Sequence, residues 1–376
     1  MTKEKIHPER DYSIDLLRIV SMFMIVSLHS VSHGVSAKMG GVNIYNVWFH
    51  FESSICILAV NIYVLISGFF LVKEQFRLSK LYKMVMETVF YSWIILAVLY
   101  TQGRGLGIRS IVSSLMPVSY NQYWFVSAYI GMYILSPVLN LLIRSISQKQ
   151  LIGIICIFAV YFSIWNSVIP YSQPMGIHRF GQSVMWFVVL YTISAYVRLY
   201  VGSNIPKPRV ALIFILSIVF MNLSWLLSVG AGAMLGISLS GIITEYYYHY
   251  NSFPVLLASV SLFMWFRTIR IENIKLKKMI RFAAPLCFGV YLIHDNPNMR
   301  DIVWGKLSNI EVSKWLPLVS AVYASFIFII CLIIDYLRSL FFGLLNQRVW
   351  YKSFLLRMDR NIYFIYERFA NKYICK

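Results

Sequence analysis

The stretch Tyr12-Ser-Ile-Asp15-Leu-Leu-Arg18-Ile-Val-Ser21-Met-Phe-Met-Ile-Val-Ser-Leu-His29 is apolar enough to enter a bilayer, yet it carries three ionisable side chains. Such groups are costly in hydrocarbon and face a bundle interior or a wet cavity. The segment therefore reads as one helix of a larger bundle, not as a lone anchor. Asp15 and Arg18, together with the lack of a small-residue cleavage site, also set it apart from a signal peptide. A span needs roughly 20 mainly apolar residues to cross about 30 Å of hydrocarbon. Runs of that kind lie at about 12–33, 50–72, 84–101, 124–143, 151–170, 183–200, 210–229, 253–269, 280–296 and 317–337. The alternation expected of a membrane barrel is absent. The expected fold is all-α: a polytopic membrane helical bundle of about ten transmembrane helices over residues 1–337, followed by a basic, aromatic tail over 338–376.

Composition agrees. The chain has 376 residues, 59% of them hydrophobic and 13% charged, against roughly 45–50% and about 25% in soluble domains. A soluble enzyme is excluded. In a soluble protein the net charge of +19 would point to nucleic acid. Here the cations flank spans, so they speak of orientation and anionic lipid, and no nucleic-acid partner is expected. With the N-terminus inside, only Lys38, Arg104, Arg109, Arg179, Arg300, Lys306 and Lys314 fall in outer loops; Arg18 lies within the first span, and every other Lys and Arg is inside. That bias makes both termini cytoplasmic in a multi-pass protein of the cell membrane, and it favours an even number of spans. The five cysteines are scattered without a CxxC pair, so neither a metal site nor a disulfide framework is expected. The tail reads as an interfacial segment on anionic lipid.

The first span also carries a geometric signal. Eleven helical steps separate Arg18 from His29, which at about 100° per residue leaves them about 20° apart on one face. Asp15 lies about 60° from Arg18 on the His29 side, and the helical rise puts His29 about 16 Å above Arg18. As plain structure, Asp15 and Arg18 form an i,i+3 pair that snorkels to the headgroups. That reading suits His29 less well, because a neutral imidazole still needs hydrogen-bond partners away from bulk water. A titratable base in a cavity is what abstraction of a hydroxyl proton requires.

Asp15-x-x-Arg18, ten further residues and His29 resemble the Arg-x10-His signature of acyltransferase family 3, the integral-membrane O-acyltransferases. Asn61-Ile-Tyr63-Val-Leu-Ile-Ser67-Gly68-Phe69-Phe70 is similar to that family's Phe-Phe-x-x-Ser-Gly-Phe segment, with Val64 where a second aromatic is usual. Tyr123-Trp124-Phe125 with Leu135-Ser136-Pro137 resembles its fourth-span region. Cys287-Phe-Gly-Val-Tyr291-Leu-Ile-His294 resembles Ser-Phe-Gly-x-Tyr-Leu-x-His, with cysteine replacing the common serine. The resemblance implies transfer of an acyl group, most often acetyl, from cytoplasmic acyl-CoA to a hydroxyl of an extracytoplasmic glycan such as a capsular, secreted or wall polysaccharide. In that scheme His29 is base or acyl carrier, Arg18 meets the coenzyme A moiety or an oxyanion, and Asp15 holds Arg18. Acetyl-CoA, or another acyl-CoA, is then a donor substrate and no cofactor is permanently bound. A glycan or lipid-linked glycan is the acceptor, with glycan-assembly proteins as candidate partners.

Further candidates are Glu52, an intramembrane carboxylate expected to pair with His29 or to cap a helix start, and Asn61, Ser67, Trp124, Tyr291 and His294 for substrate binding. Arg77, Lys80 and Lys83 are candidates for donor phosphate, although the same cations serve equally as positive-inside residues. Glu245 to Tyr250 forms a ring-rich outer segment, and His33 lies one turn beyond His29. A transporter or flippase of a lipid-linked sugar is the competing reading. The repeated halves and matched broken spans typical of transporters are not seen in the sequence.

Overall fold

The computed structural model describes residues 10–36, 43–169, 180–202, 204–237, 245–310 and 315–373; Lys38, Arg179 and Lys314 of the orientation argument lie outside them. Among the described residues the ordered elements are helical and there is no strand. In chain order they are α1 (Tyr12–His29), continued by a π-helical turn over Ser30–Val35, α2 (Ile44–Cys56), α3 (Leu58–Leu71), α4 (Leu78–Thr101), α5 (Ile108–Leu115) and α6 (Trp124–Ser145). Then come α7 (Gln148–Ala159), a second π-turn over Val160–Ile164, α8 (Trp165–Val168), α9 (Val184–Tyr200), α10 (Lys207–Met234) and α11 (Phe253–Phe266). The chain closes with α12 (Ile274–Ala283), α13 (Cys287–His294), α14 (Arg300–Ser308), α15 (Leu316–Gln347) and α16 (Val349–Tyr373).

Among the described residues, seven helices are long and apolar enough to cross a membrane: Tyr12–Val35, Ile44–Leu71, Leu78–Thr101, Trp124–Ser145, Gln148–Val168, Lys207–Met234 and Leu316–Leu344. The other three of the ten expected runs form shorter helices. The apolar helices α9 and α11 have only 17 and 14 residues. They pack on α3 in the middle of the bundle, where protein replaces lipid and full spanning length is not required. The ninth run is broken. Pro285, which lacks an N–H and cannot continue a helical ladder, sits in a 3₁₀ turn over Ala284–Leu286 that separates basic α12 from an eight-residue, almost wholly buried α13.

Sequence explains the local boundaries. Asp11 starts α1 by accepting from the Ile14 N–H at 3.2 Å, and Ser147 with Gln150 closes a reciprocal capping box on α7. The second span begins at Ile44, capped by Asn43. Glu52 is therefore inside a helix and caps nothing.

The core gathers around α3, which is buried along almost its whole length. Without strong hydrophobic drive between helices in lipid, close approach through small residues decides packing. At Gly68, an added Cβ would meet the Ser194 hydroxyl and the Tyr191 Cα on α9. We therefore expect Gly68→Val to force α3 and α9 apart, at roughly 1–3 kcal/mol for an overpacked site. Size-exclusion of fluorescently tagged protein should show a marked loss of monodisperse material, whereas Gly153→Ala, in open space on α7, should not.

Candidate active site

The paired face of α1 opens on two adjoining cavities. One, of about 740 Å³, is a vestibule whose walls include Arg10, Asp11, Asp15, Arg18, Lys73 and Arg198. The other, of about 460 Å³, runs inward from Arg18 past Met22, Ile25 and Phe288 to His29, Trp124 and Tyr291. Arg18, Ser67, Lys80, Met84 and Tyr129 line both, so the two spaces meet at Arg18. The continuous helix Tyr12–His29 keeps the helical rise valid, leaving about 16 Å between Arg18 and His29 along the axis.

At the vestibule end, Asp15 is buried between two arginines. It accepts from Arg18 Nη1 at 2.8 Å and from Arg10 Nε at 2.5 Å. The i,i+3 pair read from the sequence is thus present, and Arg10 completes it. The side chain of Arg18 stays partly accessible because Asp15 engages only one edge of its guanidinium. Tyr63 donates from its hydroxyl to the Arg18 carbonyl at 2.9 Å, which ties α3 to this turn of α1.

At the far end the chain brings together groups distant in sequence. His294 Nδ1 lies 2.6 Å from the Val290 carbonyl, and His29 Nδ1 lies 3.0 Å from His294 Nε2. A carbonyl can only accept, so the network assigns the proton of neutral His294 to Nδ1 and leaves its Nε2 as acceptor. His29 must then donate from Nδ1, and its own Nε2 carries the free lone pair. That is the tautomer of a general base oriented by a partner. Asp295 reinforces it, with Oδ1 at 3.6 Å from His29 Nδ1 and 4.0 Å from His33 Nε2. Arg300 holds the same oxygen from Nη2 at 2.8 Å and Nε at 3.0 Å. His294, Asp295 and Asn296 are 0, 2 and 0% exposed, and Asn296 is fixed by donating to the Tyr123 hydroxyl at 2.7 Å.

His29, His33 and Asp295 each offer a ligand atom within 4.8 Å of the others. A cation there would have to displace or face the Arg300 guanidinium already on Asp295 Oδ1. The group is better matched to stabilising an imidazolium than to holding a metal.

Seven of the residues singled out from sequence line the inner cavity: Arg18, His29, Ser67, Lys80, Lys83, Trp124 and Tyr291. Asp15 lines the vestibule; His294 lines neither space and touches His29 from behind. Three others do not reach either space. Glu52 is not paired with His29; its carboxylate lies near Trp48, with Oε2 buried and lacking a hydrogen-bond partner among the described residues. Asn61 is committed on both sides, donating to the Tyr250 carbonyl at 2.8 Å and accepting from Trp186 Nε1 at 3.0 Å. It seats Tyr250, whose ring lies 5.4 Å from Trp124 at the cavity wall. Arg77 meets the Tyr133 hydroxyl through its backbone.

The sequence reading missed Asp295, Arg198 in the vestibule, and Glu87, which lines the inner cavity and lies 3.0 Å from Arg338. A signal for Asp295 was present: three polar residues in a row at the end of a buried apolar helix.

The chain matches the acyltransferase 3 family, described as an acyltransferase domain, over residues 11–336. It belongs to that family. The match takes in Asp15, Arg18, His29, His294 and Asp295. No curated protein and no solved structure matches the chain. The protein is a membrane acyltransferase, and its Arg18 and His29 line one cavity.

The hydrogen-bond order gives a direct expectation for this acyltransferase. His294→Ala removes the acceptor that fixes the His29 tautomer, and turnover should fall about a hundredfold, the lower range for a disabled general base. Asp295→Asn should impair turnover while the protein still accumulates, and initial-rate measurements on equal amounts of membrane protein check both.

Proposed function

We propose that this acyltransferase moves an acyl group, in the simplest case acetyl, from cytoplasmic acyl-CoA through the tunnel to a hydroxyl of an extracytoplasmic glycan. In this reading both termini face the cytoplasm in the cell membrane. About ten passes result when α9, α11 and the broken α12–α13 segment are counted with the seven long helices. The cation bias of the loops supports that orientation. It turns the vestibule with Arg10, Arg18, Lys73, Lys80 and Arg198 toward the side where acyl-CoA is made. The donor's phosphates have those cations to meet, and the apolar walls formed by Met22, Ile25 and Phe288 suit the thioester arm.

Chemistry then falls at the His29 end. The acceptor hydroxyl loses its proton to His29 Nε2 as its oxygen attacks the thioester carbonyl. The tetrahedral oxyanion collapses, the coenzyme A thiolate leaves, and the proton on His29 returns to it. Asp295, opposite Nδ1, favours the transient imidazolium. Arg18 is too far along the helix to serve the same reacting carbon as His29, so it is better placed for the donor's anionic part. The Tyr291 hydroxyl is buried, without a partner among the described residues, on the wall of the same cavity. It fits the role of donor to the oxyanion. Trp124 and Tyr250 offer stacking faces to a sugar.

The observation that carries this reading is that Arg18 and His29 line one cavity that adjoins a cationic vestibule. A flippase would also need a passage, but would have no use for a His29 hydrogen-bonded to His294 with the Asp295 carboxylate 3.6 Å away. The test uses membrane vesicles holding the protein and acetyl-CoA labelled in its acetyl group. Label should enter polysaccharide as an ester released by mild alkali. His29→Ala should lower the rate by about 10²–10⁴-fold, and Arg18→Lys should also impair it, since a point charge replaces the planar fork. Label transfer unaffected by His29→Ala would remove the base from the mechanism; sugar flux without any labelled ester would favour transport.

A further inference from the structure

The helix α4 begins without a cap of its own. Arg77, at its N-cap position, makes no side-chain hydrogen bond to the helix start, although the first N–H groups of any helix lack partners within it. The missing acceptor arrives from the other end of the chain. Asp359 of α16 accepts from the Ser79 N–H through Oδ1 at 2.8 Å and from the Ser79 hydroxyl through Oδ2 at 2.7 Å. On the same helix, Phe354 sets its ring edge-on to Tyr82 at 5.5 Å. A carboxylate at a helix N-terminus is favoured by both the free N–H groups and the helix dipole. So α16 is anchored at least in part on protein, in addition to whatever lipid it meets.

That anchor adjoins the residues of α4 that reach the tunnel. Lys80, immediately after Ser79, lines both cavities and pairs with Glu74 of the vestibule. Lys83, Met84 and Glu87 line the inner cavity. The first turn of α4, which Asp359 caps, thus presents Lys80, and Lys83 follows on the next turn.

We propose that α16 is a clamp on the donor entrance: Asp359 caps α4 in trans and thereby positions Lys80 and Lys83 for binding of the acyl donor. Asp359 is a positioning residue and takes no part in the chemical step. The inference rests on the acyl-CoA reading of the vestibule.

The experiment uses the full-length protein in native membranes with acetyl-CoA, comparing wild type, Asp359→Ala and Asp359→Asn for KM, kcat and the rate of tryptic cleavage after Lys80 and Lys83. Losing one cap corresponds to about a fivefold effect. Asp359→Ala should raise KM for acetyl-CoA by about that factor, leave kcat unchanged, and speed cleavage after Lys80. Asparagine accepts from an N–H at a helix start as well as aspartate does, so Asp359→Asn should stay near wild type in all three. An unchanged KM in Asp359→Ala, a fall in kcat with KM kept, or an Asp359→Asn as impaired as Asp359→Ala would each overturn the clamp. Wild-type membranes that transfer no acetyl would sink the acyl-CoA reading instead. The cleavage comparison then decides the clamp alone: faster cutting in Asp359→Ala upholds it and equal cutting overturns it.

Discussion

The hydrogen bond between His29 and His294 makes the strongest demand on this bundle. It joins α1 to α13 across most of the length of the sequence, and its His294 side is fully buried. Both helices are accordingly held by further polar ties. Tyr63 bonds the α1 backbone at Arg18, and the Ser30 hydroxyl lies 3.1 Å from that of Ser320 on α15. On the other side, Gly289 of α13 lies directly against the Asp335 side chain, and Tyr91 of α4 donates to Asp335 at 2.7 Å. A side chain at position 289 would occupy the space of that carboxylate. The glycine in Cys287-Phe-Gly289-Val-Tyr291 thus serves the packing that brings His294 to His29.

A second regularity concerns charge. Each of three buried carboxylates in the bundle is bound by arginine: Asp15 by Arg10 and Arg18, Asp295 by Arg300, and Asp335 by Arg338. Removing charges from water is expensive, and a buried pair is tolerated only when geometry and extra hydrogen bonds repay it. The arrangement leaves the tunnel with fixed, oriented dipoles instead of loose counterions. It also grades the path, cationic at the vestibule, apolar along Met22, Ile25 and Phe288, aromatic and titratable around Trp124, Tyr250, Tyr291 and His29. Catalysis by preorganised electrostatics needs such an environment, in which little has to reorient as charge develops.

The motif around Ser67 shows how one short segment serves several ends. Ser67 lines both cavities, Gly68 admits α9, and Phe69 carries the Arg198 and Arg267 guanidinium groups over its ring at 4.5 and 5.1 Å. None of these roles can be read from hydropathy, which sees only an apolar run. They come from the groups that stand opposite each residue.

From sequence alone came the all-helical membrane architecture, the single face shared by Asp15, Arg18 and His29, and the family itself. These are local or periodic properties: hydrocarbon thickness sets span length, and the pitch of one helix sets which of its side chains align. What only the tertiary structure decided was which apolar runs form short helices, the exclusion of Glu52, Asn61 and Arg77 from the two cavities, and the entry of Asp295, Glu87 and Arg198. Helices such as α9 and α11 fall short of spanning length because other helices, not lipid, surround them. Asn61 was drawn away by Trp186 and Tyr250, partners far off in the chain that no periodicity reveals. The tautomer of His29 belongs to the same class, since it is fixed by a bond to a residue 265 positions away.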